Sequence, residues 1–226
     1  MSITVYRSSS DYSTVTNQVV LNALGEFWDT ENWKNAGGQS VVKASGSDDV
    51  ERLYISDKVY IDITGEGSSA RIEIVHSNGV TSVLSSSISA AFTIVKTDTA
   101  LLFDVPSSTF CFVVGRVTSA EDKASNGCMW RSNTSANNDG YVFTDNASTN
   151  ITSSSYKINM QLMNKSEYNT QLLPICSPTC GDVFADDVLM VRMCPDGLAG
   201  KVTLDEEKYY LSHNQNYGMF ALKFTE

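Results

Sequence analysis

Four side chains in the C-terminal half have the chemistry of zinc ligands. Three residues lie between Cys176 and Cys180, and Cys194 and His213 follow farther along the chain. Thiolates and imidazoles are the usual ligands of structural zinc, but such sites normally combine two close pairs of ligands, and only one close pair is present. The other interpretation is that the cysteines act as small apolar residues. We therefore expect no metal and no other cofactor, with zinc at these four residues as the alternative.

A polar segment in the middle of the chain carries aromatic residues beside amide and carboxylate groups. Trp130 and Tyr141 flank a turn-rich stretch that contains Asn137 and Asp139. Many sugar-binding sites combine the face of an aromatic ring with hydrogen bonds from Asn and Asp. These four residues are therefore the candidates for binding a receptor or a host-surface glycan. The same aromatic rings would also suit the core of a small β-sandwich.

The sequence contains few arrangements that suggest catalysis. The only histidines are His76 and His213, and no serine lies in a Gly-x-Ser-x-Gly elbow. Adjacent acids such as Asp186 and Asp187 point to opposite faces of a strand, so they do not form a glycosidase pair by themselves. We therefore expect a protein that is not an enzyme. A hydrolase whose acids converge from separate strands is the last alternative.

Composition and charge exclude several classes of partner. The 226 residues include 26 Asp and Glu against 16 Lys and Arg, which gives a formal net charge of −10. This sign disfavours binding to a nucleic-acid backbone. No window approaches the roughly 20 apolar residues of a membrane span. The first ten residues lack the basic and apolar segments of a secretory signal, so we expect synthesis in the cytoplasm without membrane insertion.

The N-terminal region has the pattern of an amphipathic helix. From Ser13 to Trp28 apolar residues recur at three- and four-residue steps, which places them on one face. A large exposed apolar stripe is rare on a lone soluble protein, so a stripe that packs on nothing within the chain needs a partner. We expect residues 1–44 to form a helical arm that docks on a neighbouring subunit through Phe27, Trp28 and Trp33. The alternative is that the helix packs on its own domain.

The rest of the chain has the period-two pattern of strands. Arg71 to Val75 alternates polar and apolar residues, and Asn78-Gly79 is a strong hairpin signal. Phe110 to Val117 is apolar enough for a buried central strand, and Lys201 to Leu211 has the pattern of a hairpin with an acidic turn. Residues 45–226 are therefore expected to form an antiparallel all-β domain, either a sandwich or jelly-roll-like. Residues 119–155 are rich in small polar residues and are expected to be long surface loops.

Two stretches resemble a group of viral proteins. The opening MSITVYRSSSDYSTV and the terminal hairpin GKVTLDEEKYYLSHNQNYGMFALKF, from Gly200 to Phe224, resemble tail, baseplate or head-attached structural proteins of bacteriophages and prophages of gut Firmicutes. The resemblance implies a virion component, made in the host cytoplasm, that associates with itself as a homo-oligomer and with other virion proteins. A receptor- or carbohydrate-binding protein at the tail tip is the runner-up.

Overall fold

The computed structural model describes residues 1–8, 17–43, 50–66, 69–79, 81–83, 91–106, 111–119, 124–134, 137–150, 171–176, 181–193, 200–212 and 219–225. Within these ranges the chain forms one helix and eighteen strands. In chain order the elements are β1 (Thr4–Arg7), α1 (Asn17–Phe27), β2 (Val41–Lys43), β3 (Val50–Tyr54), β4 (Val59–Glu66), β5 (Ser69–His76), β6 (Thr81–Val83), β7 (Thr93–Lys96), β8 (Ala100–Asp104), β9 (Cys111–Thr118), β10 (Ala124–Thr134), β11 (Asn137–Thr144), β12 (Ala147–Asn150), β13 (Gln171–Pro174), β14 (Val183–Phe184), β15 (Val188–Met193), β16 (Gly200–Leu204), β17 (Glu207–Leu211) and β18 (Met219–Phe224).

The strands form three antiparallel sheets. The central sheet has eight strands in the order β1-β7-β8-β9-β10-β11-β12, and β14 also pairs with β9. The helix-side sheet has the order β2-β3-β4-β5-β6, and the C-terminal sheet has the order β13-β15-β18-β17-β16. Most neighbours in these sheets are also neighbours in sequence, as expected for a meander. The prediction of an all-β antiparallel sandwich is confirmed.

The central sheet is buried on both faces at β8. Leu101 and Phe103 of β8 belong to the core cluster shared with α1 and the helix-side sheet. Leu102, between them, belongs to the cluster shared with the C-terminal sheet. Successive side chains of a strand point to opposite faces, so a strand covered on both sides needs apolar residues without alternation. This explains why all five residues of β8 are buried.

Helix α1 packs on its own domain, so the prediction of a separate arm is wrong. Val20 and Leu24 are fully buried in the core cluster shared with the helix-side sheet. The strands on either side of the helix also belong to the domain. Thr4 of β1 pairs with Lys96, and Val41 of β2 pairs with Leu53. The boundary predicted at residue 44 therefore separates nothing, because residues on both sides of it share sheets and core.

The segment predicted as long polar loops, residues 119–155, contains three strands. β10 is eleven residues long and pairs with both β9 and β11, and β11 pairs with β12 through the two-residue turn Asp145-Asn146. Strand formation depends on backbone pairing and on the neighbours a strand finds, so a polar composition does not prevent it. Residues 120–123, 135–136 and 151–155 of this segment lie outside the described residues.

Candidate functional site

The three aromatic residues predicted to dock on another subunit lie against the chain's own core. Trp28 and Trp33 are 3% and 1% exposed. The indole N–H of Trp28 donates a hydrogen bond to the carbonyl oxygen of Tyr54 at 3.0 Å. Phe27 is half-buried, with its ring centroid 5.7 Å from that of Tyr6. The assembly interface predicted at these residues is therefore wrong for the two tryptophans, because helix and sheet of one chain already cover them.

The four candidate glycan-binding residues come together on one hairpin. In the register of β10 with β11, Trp130 is opposite Tyr141, while Asp139 and Asn137 are opposite Ser132 and Thr134. Paired residues of antiparallel strands share a face, and so do residues two apart on one strand. Their backbone positions therefore follow one another along a single face. The sequence alone had placed them only in one polar stretch.

The four zinc-ligand candidates are described only in part. Cys176 is half-buried and forms an isolated bridge with Val183. Cys180, Cys194 and His213 lie outside the described residues. Among the residues that the structure does describe, no group of three or more His, Cys, Asp or Glu side chains is arranged to hold a metal ion.

Arg52, Tyr60 and Asp62 form a cluster on the outer face of the helix-side sheet, and its opposite charges are paired with each other. Arg52 makes two hydrogen bonds to the carboxylate of Asp62, at 2.7 and 2.8 Å, and its guanidinium carbon lies 3.7 Å from the centroid of the Tyr60 ring. The hydrogen bond to Asp62 raises the pKa of Arg52, and burial raises the pKa of Tyr60 above its usual 10.0. Paired and stacked charges of this kind stabilise neighbouring strands. We assign this cluster a structural role.

The central sheet ends on an uncharged edge strand. β12 pairs with β11 and has no second neighbour among the described strands. Its four residues, Ala147 to Asn150, include no Lys, no other charge and no Pro. Natural edge strands usually carry one of these features to prevent pairing with another chain. Within the described part of the chain, the outer edge of β12 therefore lacks the features that block pairing with a further strand.

Sequence reasoning missed a groove of about 610 Å³ beside the end of α1. One wall is the end of the helix and the turn that follows it, and the other is β1 and the β7–β8 turn. The lining residues are Ser2, Thr4, Glu26, Phe27, Trp28, Asp29, Thr30, Glu31, Asn32, Lys96, Thr97 and Asp98. The pairing of β1 with β7 and the packing of α1 on the same core bring these residues, which are distant in sequence, together.

Several polar groups of this groove are held in place by other side chains. The carboxylate of Asp29 accepts hydrogen bonds from the backbone N–H of Asn32 at 3.2 Å and from its side-chain amide at 2.7 Å. The carbonyl oxygen of Asn32 accepts from the amide of Asn126 at 2.9 Å. Asp98 accepts from the hydroxyl of Ser2 at 3.2 Å. The groove is therefore largely preformed.

Within the described ranges, no helix combines the length and the apolarity needed to cross a membrane. Comparison of the chain with protein-family models, with curated proteins and with solved structures gave no match in any of the three.

Proposed function

We propose that this protein is a non-enzymatic structural component of a bacteriophage particle, in the tail, the baseplate or an attachment to the head, and that it assembles by contacts between its own copies. The observation that carries the assembly part is β12, which has no second neighbour among the described strands and carries neither a charge nor a proline. The virion part rests on the resemblance of the N-terminal stretch and the C-terminal hairpin to phage structural proteins.

The edge of β12 is suited to pairing with a second copy of itself. Two antiparallel edge strands related by a twofold axis present the same groups to each other, so one sequence supplies both halves of the contact. The backbone hydrogen bonds give affinity without requiring an apolar patch. Because β12 belongs to the central sheet, such a contact would continue this sheet from one subunit into the next.

The turn before β12 shows which amides face outward. In a hairpin closed by two residues, the flanking residues Thr144 and Ala147 form a hydrogen-bonded pair, and bonded and non-bonded pairs then alternate. Ala147 and Thr149 therefore donate inward to β11. The amides of Ser148 and Asn150 point away from it.

Because inward and outward N–H groups alternate along β12, an outward N–H can be removed without affecting the pairing with β11. Ser148→Pro removes an outward N–H while leaving the bonds to β11 intact, whereas Ser148→Ala keeps that N–H. Light scattering after size-exclusion chromatography and sedimentation velocity should show oligomers for the wild type and Ser148→Ala. They should show at least about tenfold weaker association for Ser148→Pro, equivalent to roughly 1.4 kcal/mol. A wild-type protein that stays monomeric at all concentrations, or association unchanged by Ser148→Pro, contradicts the proposal.

A second candidate function is receptor binding at a tail tip, through a glycan held by the β10–β11 hairpin. The observation in its favour is the register that places Trp130, Asn137, Asp139 and Tyr141 on one face. Binding on a glycan array should be lost in Trp130→Ala and kept in Arg131→Ala, since residue 131 belongs to the opposite face. Equal loss in both variants, or no binding by the wild type, rules against this candidate.

A further inference from the structure

The groove beside the end of α1 is large enough for a small molecule and has a mainly polar lining. Its volume of about 610 Å³ lies within the range of roughly 300–1,000 Å³ typical of such sites. None of its lining residues belongs to the β10–β11 hairpin or to β12, so neither proposed function accounts for it. Its walls come from three separate parts of the chain.

Aromatic rings in this groove are fixed before any ligand arrives. Trp28 is held by its hydrogen bond to Tyr54 and by an edge-to-face contact with Trp33, whose ring centroid is 4.9 Å away. Phe27 packs at a tilt against Tyr6, is half-buried and is one of the residues that line the groove. A half-buried ring on a rigid support offers an apolar contact at little entropic cost.

Hydrogen-bond acceptors surround these rings. Glu26, Glu31 and Asp98 are exposed carboxylates of the lining, and Asp29 is fixed by its bonds to Asn32. Each carboxylate oxygen can accept more than one hydrogen bond, so Asp98 and Asp29 retain capacity beyond their internal bonds. A ligand that fits must therefore offer several donors around an apolar face.

A sugar ring has this combination of groups. Its hydroxyls donate to carboxylates, and its C–H face packs on an aromatic ring. The charge of the lining favours neutral over anionic ligands, because it contains four carboxylates and one basic side chain, that of Lys96. A sugar acid or a phosphate entering the groove would meet like charge and lose its hydration.

We propose that the groove formed by the end of α1, the start of β1 and the β7–β8 turn binds a neutral saccharide, with Phe27 as the ring platform and Asp98 as an acceptor. The ligand lies against the ring of Phe27, and its hydroxyls donate to Asp29 and Asp98. This assignment does not depend on the virion role or on the hairpin.

The test uses titration calorimetry on the full chain with two neutral trisaccharides, maltotriose and N,N′,N″-triacetylchitotriose, and an acidic one, trigalacturonate. At least one neutral probe should bind with a Kd in the millimolar range or below, roughly −4 kcal/mol. Trigalacturonate should not bind. Phe27→Ala and Asp98→Asn should each weaken binding about tenfold, and Trp130→Ala should leave it unchanged.

Asp98→Asn keeps the test valid if Phe27→Ala fails to fold, because the side chain of Asp98 is exposed and the change is isosteric. The melting temperature of each variant is recorded alongside. The inference is overturned if neither neutral probe binds, if trigalacturonate binds as well as they do, or if binding survives both groove variants. Loss of binding in Trp130→Ala alone would place the saccharide on the hairpin and also overturn it.

Discussion

Trp28 and Trp33 pack edge to face, with ring centroids 4.9 Å apart and ring planes at 75°. The two rings close the end of α1 onto the helix-side sheet, since Trp28 also donates to the carbonyl oxygen of Tyr54 in β3. Four residues lie between them in sequence, and the chain turns back at Thr30 to Ser40 before entering β2. The pair therefore anchors the helix to the sheet.

Replacing Trp33 by Ala should destabilise the fold and leave self-association unchanged. Loss of a fully buried tryptophan costs about 3–5 kcal/mol through lost contacts and the cavity left behind. Urea unfolding measures this loss. Val19→Ala is the control, because Val19 is 38% exposed on the same helix and should cost under about 0.5 kcal/mol. A stable Trp33→Ala protein that no longer associates would restore these tryptophans as an interface.

The sequence was sufficient to predict the helix and the class of fold, but not the surface covered by the helix. The spacing of Val20 and Leu24 shows which face of α1 is apolar, and this face is buried as an apolar stripe must be. Whether the residues that cover this face belong to the same chain depends on packing with residues such as Leu53 and Ile61, which are distant in sequence. Periodicity within α1 carries no information about them.

The candidate sites show the same division. The sequence does not show that Trp130, Tyr141 and Asp139 share a face of the sheet; this follows only from the register of β10 with β11. The groove was still harder to predict, because Phe27 and Asp98 line it together only through the packing of α1 beside the paired strands β1 and β7. Polar composition at residues 119–155 was misleading, because hydrogen bonding between backbones does not depend on side-chain polarity.

Replacing Gly25 and Gly127 by alanine should change the free energy of unfolding in opposite directions. Gly25 lies inside α1, and a Cβ there would meet nothing within 4 Å. Gly25→Ala should therefore raise the free energy of unfolding by about 0.5–1 kcal/mol through improved helix propensity. At Gly127 in β10 a Cβ would lie 2.7 Å from a methyl group of Val117 and 2.9 Å from the carbonyl oxygen of Phe143.

Gly127→Ala should consequently cost about 1–3 kcal/mol, because the backbone of β11 cannot move away without breaking the ladder. Chemical unfolding of both variants beside the wild type gives the two values. Equal and small effects would mean that β10 and β11 are not packed as closely at Gly127 as the structure shows.

The acidic turn between β16 and β17 holds two residues in a conformation that suits glycine and asparagine. Asp205 and Glu206 have φ angles of 48° and 68°, the values of a type I′ turn. The left-handed region costs residues other than Gly and Asn roughly 1 kcal/mol each. The double variant Asp205→Asn, Glu206→Gly should therefore stabilise the fold by about 1 kcal/mol.

Thermal unfolding provides the measurement, and the same pair of changes at Asp186-Asp187 is the control. Neither of these two residues has a positive φ, and Asp187 accepts a hydrogen bond from the hydroxyl of Thr99. The control should therefore be destabilising. A lower melting temperature for the turn variant would show that the carboxylates of Asp205 and Glu206 contribute more than the backbone strain costs.

Tyr210 should make stability fall at alkaline pH. Burial raises the pKa of its hydroxyl above the usual 10.0, and the neighbouring Arg7 lowers it only in part. Above pH 10 an unfolded chain ionises this tyrosine while the folded chain still holds the proton, so the unfolded state binds fewer protons and stability declines as pH rises. Below pH 10 the contribution is fully present.

Tyr210→Phe removes this contribution, so urea midpoints between pH 9 and 11 should fall less steeply for this variant than for the wild type. Tyr60→Phe serves as the comparison, since the pKa of Tyr60 is also raised by burial but is opposed first by Arg52. An identical slope in the wild type and Tyr210→Phe would show that the ring of Tyr210 is not enclosed between the central and C-terminal sheets.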